Sequence, residues 1–138
     1  MAAPDDDDPE RILTNHENQI DLGWIDTKAA SATGRPEGPI RLQWGYPHEK
    51  SFGLRHITSN ASRVKAINGW GFESCQNYIW AVAEHWTRIH ASEKGRLILV
   101  WPQQGADLAL VVNWTGEFWS VVTALPFRMV KQEKLFER

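Results

Sequence analysis

Arg96-Leu-Ile-Leu-Val-Trp101, Leu108-Ala-Leu-Val-Val-Asn-Trp114 and Phe118-Trp-Ser-Val-Val-Thr-Ala124 are three successive runs rich in β-branched, aliphatic and aromatic residues. Runs of this length and composition form strands. Pro102 to Ala106 and Thr115-Gly116 separate them, and connections so short join antiparallel neighbours. The C-terminal part of the chain is therefore expected to be an antiparallel β-meander.

Working outward from the meander, Ser92-Glu-Lys-Gly95 reads as a turn. Before it, Cys75, Ile79, Val82, Ala83 and Trp86 recur at helical spacing, which predicts a helix from residue 75 to about His90. Asn68-Gly-Trp-Gly71 is a second turn. Leu54, Ile57, Ala61, Val64 and Ile67 recur at spacings of three and four, which predicts a shorter helix from Gly53 to Ile67. Ile40-Arg-Leu-Gln-Trp44 alternates apolar and polar residues, as a half-buried strand does, until Gly45-Tyr-Pro-His48 breaks it. The mixed pattern from Asn18 to Ile25 suggests another strand, and Asp26 to Pro39, rich in Ala, Ser, Gly and Pro, reads as a loop. The order implies an α+β fold: N-terminal strands and two helices packed on the C-terminal meander.

The chain has 138 residues, 42% of them hydrophobic and 23% charged, as expected of one soluble domain that buries its own core. Residues 1–15 read as a disordered acidic leader or linker, with the domain proper at 16–138 and no signal-peptide pattern. The formal charge is −2, but Asp5 to Asp8 and Glu10 supply five of the 17 acidic residues. Residues 11–138 thus carry 15 basic side chains against 12 acidic ones. A mildly basic body permits a nucleic-acid partner, and the small excess favours a compact substrate bound through a local patch. The lone Cys75 excludes an internal disulfide and, on the helical face, reads as a packed thiol. His85 and His90 are five apart, the wrong spacing for a metal pair on one helix face. No dinucleotide-binding, P-loop, zincin or nucleophile-elbow motif is present, and no metal or cofactor is expected. The eight tryptophans are expected mostly to fill the seam between helices and sheet, leaving one or two for base stacking.

Ile40-Arg-Leu-Gln-Trp-Gly-Tyr-Pro-His-Glu-Lys-Ser-Phe-Gly-Leu-Arg-His-Ile57 is a strand ending in Gly, a loop, and a Gly-Leu-Arg-His-Ile helix start. It resembles the phage- and toxin-associated branch of the ribonuclease group that includes barnase, EndoU, colicin D and RelE. Trp119-Ser-Val-Val-Thr123 is similar to that branch's last strand, so the likeness spans residues from about 18 to 128. It implies a barnase- or RelE-like fold and metal-independent RNA cleavage by transesterification, leaving a 2′,3′-cyclic phosphate and a 5′-hydroxyl. It further implies that Thr123 orients the scissile phosphate, that Arg96 holds it, and that Ser120 contacts substrate.

The residues of the motif also make chemical sense by themselves. Cleavage without a metal needs a proton acceptor for the 2′-hydroxyl, positive charge at the phosphorus and a proton donor for the leaving oxygen. His56 suits the proton steps, and Arg63, seven positions on and so on the same helical side, suits the phosphate. Arg55 and Lys50 lie close by as substrate-binding cations, and His48 offers a second histidine that could divide acid and base roles with His56. The expected partners are RNA, with tRNA favoured, and a cognate immunity or antitoxin protein. The expected place of action is the cytoplasm of a target or host cell, after delivery within a larger secreted or phage-encoded protein. The rival readings are a non-catalytic interaction module and a small ADP-ribosyl- or phosphoryl-transferring toxin.

Overall fold

The computed structural model describes residues 8–48 and 51–138. Among them are four α-helices and an eight-stranded, mostly antiparallel open sheet. The strands are β1 (Ile12–Leu13), β2 (Gly23–Ile25), β3 (Gly38–Gln43), β4 (Arg88–Ala91), β5 (Leu97–Gln103), β6 (Ala106–Trp114), β7 (Trp119–Phe127) and β8 (Lys134–Glu137). The helices are α1 (Thr27–Thr33), α2 (Gly53–Thr58), α3 (Ala61–Gly69) and α4 (Cys75–His85). The sheet order is β1-β3-β7-β6-β5-β4-β8, and β2 lies beside β1 on the same edge of β3. The meander β5-β6-β7 is as expected. β3 joins it by parallel pairing with β7, Ile40 opposite Trp119 and Arg41 opposite Ser120.

Several elements depart from the sequence reading, each for a local reason. The single helix expected over Gly53 to Ile67 is two. Thr58 Oγ1 donates to the Leu54 carbonyl at 3.0 Å and Ser59 Oγ to that of His56 at 2.7 Å, satisfying carbonyls at the end of α2. Asn60 then caps α3 by accepting from Arg63 N at 3.0 Å. The helix expected to reach His90 ends at His85, because Trp86 turns to an extended ψ of 145°. Arg88–Ala91 becomes β4, paired with β5 and β8. The expected loop at Asp26 to Pro39 holds α1, capped by the Asp26 side chain and closed by Gly34 at φ 67°. Strand pairing begins at Ile12, inside the expected leader.

Side-chain alternation divides the sheet into two faces. Ile40, Leu42, Ile89, Leu97, Leu99, Leu108, Leu110, Val112, Trp119 and Val121 share one buried core with Leu54, Ile57, Ile67, Ile79 and Val82 of the helices. Burying each such aliphatic side chain contributes about 1.5–3 kcal/mol. Tyr78 locks α4 to the sheet: its hydroxyl donates to the Ala109 carbonyl at 3.1 Å and accepts from Ala109 N at 2.7 Å. Six tryptophans join this core, Trp86 and Trp119 fully buried and Trp44, Trp80, Trp101 and Trp114 partly. Trp24 and Trp70 are exposed. The opposite, helix-free face carries a small apolar cluster of Ile98, Val100, Ala109 and Val130, with polar residues to either side. No helix among the described residues is long and apolar enough to cross a membrane.

Candidate functional site

On the helix-free face, a concavity of about 520 Å³ opens where β1, β3, β7 and β6 meet the start of β5. Its floor is set by alternation: Gln43, Asn113, Ser120 and Val122 point away from the core. Ser120 and Gln43 are buried, and they form a relay across the parallel strand pair. Ser120 Oγ donates to Gln43 Oε1 at 2.7 Å, and Gln43 Nε2 donates to the Glu10 carbonyl at 3.1 Å. The relay fixes the N-terminal segment against the sheet and places Glu10 at the concavity.

The opposite rim is the β6–β7 turn. Thr115 Oγ1 accepts from Glu117 N at 3.3 Å and from Phe118 N at 3.2 Å, and donates to the Phe118 carbonyl at 3.1 Å. This holds the Glu117 carboxylate and the Phe118 ring at the concavity. Arg96, half-buried just ahead of β5, supplies the lining's positive charge. Its guanidinium makes no hydrogen bond or ion pair among the described residues. A half-buried cation with no partner among the described residues, in one lining with Glu10 and Glu117, can hold an anion while a neighbour moves a proton.

Ser51 and Phe52 complete the wall, and the placement of α2 depends on them. At Gly53, φ +83°, an added Cβ would stand 2.5 Å from the Gln43 carbonyl, and at Gly45, φ +75°, it would overlap the Phe52 carbonyl. Only glycine at both positions lets the chain cross itself this closely at the end of β3. Arg55 fastens the crossing: its Nε donates to the Gly45 carbonyl at 2.7 Å and its guanidinium stacks over Trp44 at 5.0 Å.

The residues singled out from sequence therefore fall into separate groups. Arg96 and Ser120 line the concavity together. His56 does not line it; the ring is 7% exposed, and Nδ1 lies 2.7 Å from the main-chain carbonyl of His48. A carbonyl only accepts, so Nδ1 carries the proton, and a neutral ring keeps its lone pair at Nε2. The two histidines expected to share acid and base roles are linked through a backbone oxygen, while the His48 ring stacks on Tyr46. Arg63 reaches back from α3, Nη1 donating to the His56 carbonyl at 3.3 Å. Thr123 is absent from the lining: beside the register shift of β7 against β6, its Oγ1 is buried with no partner among the described residues. Lys50 lies outside the described residues. Cys75 is a buried thiol whose pKa burial pushes up, only partly offset by the charge of Arg63.

Glu10, Gln43, Asn113 and Glu117 were not singled out from sequence. Thr115-Gly116-Glu117, a hairpin turn presenting a carboxylate, was the one local signal. No family model, no curated protein and no solved structure matches this chain.

Proposed function

We propose that the chain is a metal-independent endoribonuclease of the barnase- and RelE-like kind, with its active site in the concavity centred on Arg96. The observation that carries this is the half-buried Arg96, without a partner among the described residues, in one concavity with Glu10 and Glu117. The resemblance of residues 40–57 and 119–123 supports the same reading, as does a mixed α+β fold whose sheet leaves one face free of helices.

In this reading Arg96 binds the non-bridging oxygens of the scissile phosphate and stabilises the charge that builds on them. Glu10 or Glu117 accepts the proton of the 2′-hydroxyl. The 2′-oxygen bonds to phosphorus as the bond to the 5′-oxygen breaks, and a proton is delivered to that oxygen. The products are a 2′,3′-cyclic phosphate and a 5′-hydroxyl, so neither water nor a redox partner is consumed. The half-buried Phe52 offers a ring for stacking a base, while Phe118 is buried beneath the Arg41 guanidinium at 5.2 Å. His56 acts as a positioning residue: by holding the His48 carbonyl it ties the loop after β3 to α2, and so sets Ser51 and Phe52 in the wall. The resemblance extends the proposal to a toxin acting in the cytoplasm of a target cell, with a cognate immunity protein that covers the concavity.

The test is incubation of the purified chain with total RNA and with tRNA in EDTA, followed by mapping of the ends. Cyclic phosphate and 5′-hydroxyl ends are expected. Absence of cleavage, or cleavage only after magnesium is restored, would overturn the proposal.

A further inference from the structure

The helix-free face carries a second polar depression, of about 480 Å³, at the other end of the β5–β6 hairpin. The apolar cluster of Ile98, Val100, Ala109 and Val130 separates it from the concavity around Arg96. Arg88 and His90 flank the buried Ile89 on β4, so both project onto this face. Arg128 and Lys134 also line it, and Asp107 is the carboxylate of the lining.

Asp107 is already committed, because its Oδ2 accepts from Arg88 Nη2 at 2.7 Å and from Val130 N at 2.9 Å. Two buried nitrogens remain. Arg88 Nε is buried with no partner among the described residues, and so is His90 Nε2, on a side chain 5% exposed. The other ring nitrogen, His90 Nδ1, lies 2.8 Å from the Gln132 carbonyl and so carries a proton. Leaving buried polar atoms unpaired costs free energy, and nearly all such atoms in folded proteins find a partner. Of the other charges nearby, Lys134 pairs at 2.9 Å with exposed Glu137, and Arg128 is exposed. The Glu137 carboxyl is held below its usual range by the Lys134 hydrogen bond and charge, with smaller contributions from Arg88 and His90. Arg88, Arg128 and Lys134 outnumber Asp107 and Glu137.

We infer that this depression is a phosphate-binding site, in which a phosphate oxygen accepts from protonated His90 Nε2 and another from Arg88 Nε, with Arg128 closing over the anion. A phosphate suits the site because it offers several acceptor oxygens to donors arriving from different strands, and an arginine fork matches it. The phosphate has two sources, a free phosphate or the backbone of an RNA strand crossing the face. The site stands on its own geometry and holds whether or not the chain cleaves RNA.

The test follows the ring nitrogens of His90 by ¹⁵N NMR in the full chain at slightly acidic pH, at constant ionic strength. Inorganic phosphate is the first probe and a short single-stranded RNA the second. Inorganic phosphate is expected to shift His90 Nε2 saturably, where chloride does not, and Arg128→Ala is expected to weaken that binding several-fold. If RNA displaces phosphate from His90, the source is the backbone. If phosphate shifts His90 and RNA does not displace it, the source is a free phosphate. No shift with either probe, or a shift equal to that from chloride, would overturn the site. Neither result depends on a cleavage assay.

Discussion

The ring of His56 is fastened, through Nδ1 at 2.7 Å, to the main-chain carbonyl of His48. The contact makes His56 the anchor of the loop that follows β3. A side chain able to donate one hydrogen bond in the same direction should therefore do much of its work. His56→Asn is expected to retain most of the cleavage rate and to leave the shape of the pH–rate profile unchanged, whereas His56→Ala lowers the rate. A positioned general acid or base is worth roughly a hundred- to ten-thousandfold. A loss of that size in a folded His56→Asn protein, with one limb of the profile removed, would return His56 to the chemistry.

The glycine crossing predicts a second contrast. Gly45→Ala and Gly53→Ala both place a methyl against backbone that cannot move aside, whereas Gly34 and Gly116 have positive φ with open space around them. Alanine at Gly34 or Gly116 should cost only the left-handed conformation, roughly 1–2 kcal/mol. At Gly45 or Gly53 the loss in urea denaturation should be larger, and it should lower RNA cleavage as the wall at Ser51 and Phe52 shifts. Equal stability losses at all four positions would contradict the close crossing.

Tyr78 predicts an alkaline limit to stability. Burial raises its hydroxyl pKa well above the ordinary value of about 10, more than the hydrogen bond to Ala109 lowers it. Above the unfolded pKa the unfolded chain loses this proton while the folded chain keeps it, so stability falls as pH rises beyond about 10. Tyr78→Phe removes that dependence. It also leaves the buried Ala109 N–H and carbonyl without their partner, at a cost of roughly 1–3 kcal/mol near neutral pH. Chemical denaturation at neutral and alkaline pH measures both effects, and an unchanged alkaline slope in the variant would assign the limit to another group.

The meander strands β5, β6 and β7 were legible because their alternation and short turns are local, whereas the short β8 was not foreseen. The parallel pairing of β3 with β7 was not, since Ile40 and Trp119 are joined only in space. β4 was hidden because Ile89 continues the helical spacing of Val82 and Trp86, while the backbone turns at Trp86. α1 did carry a signal, Asp26 as cap and Gly34 as stop, but its small residues read as a loop. The candidate site was half legible. Arg96 and Ser120 lie in the recognisable meander, whereas Glu10 and Gln43 reach them only through the order β1-β3-β7-β6. His56 stood out for its chemistry, yet the residues around it spend their polar groups on holding the chain crossing together.

The relay from Ser120 through Gln43 to the Glu10 carbonyl carries a further expectation. Gln43→Leu leaves the buried Ser120 hydroxyl without its acceptor and frees the N-terminal segment. Stability should fall by roughly 1–3 kcal/mol, and amide exchange should rise at Ile12 and Leu13 before the meander is affected. Unchanged protection at β1 would mean that the relay does not hold that strand.

The central claim is that Arg96 grips the scissile phosphate, and the initial rate of RNA cleavage by Arg96→Ala tests it most directly. Wild type, Arg96→Ala and Arg96→Lys are compared on one RNA in EDTA, with near-ultraviolet circular dichroism to confirm that each is folded. Loss of a charged hydrogen bond of roughly 1.5–3 kcal/mol predicts a drop of about ten- to a hundredfold for Arg96→Ala, with Arg96→Lys in between. A folded Arg96→Ala protein that cleaves at the wild-type rate would contradict the account.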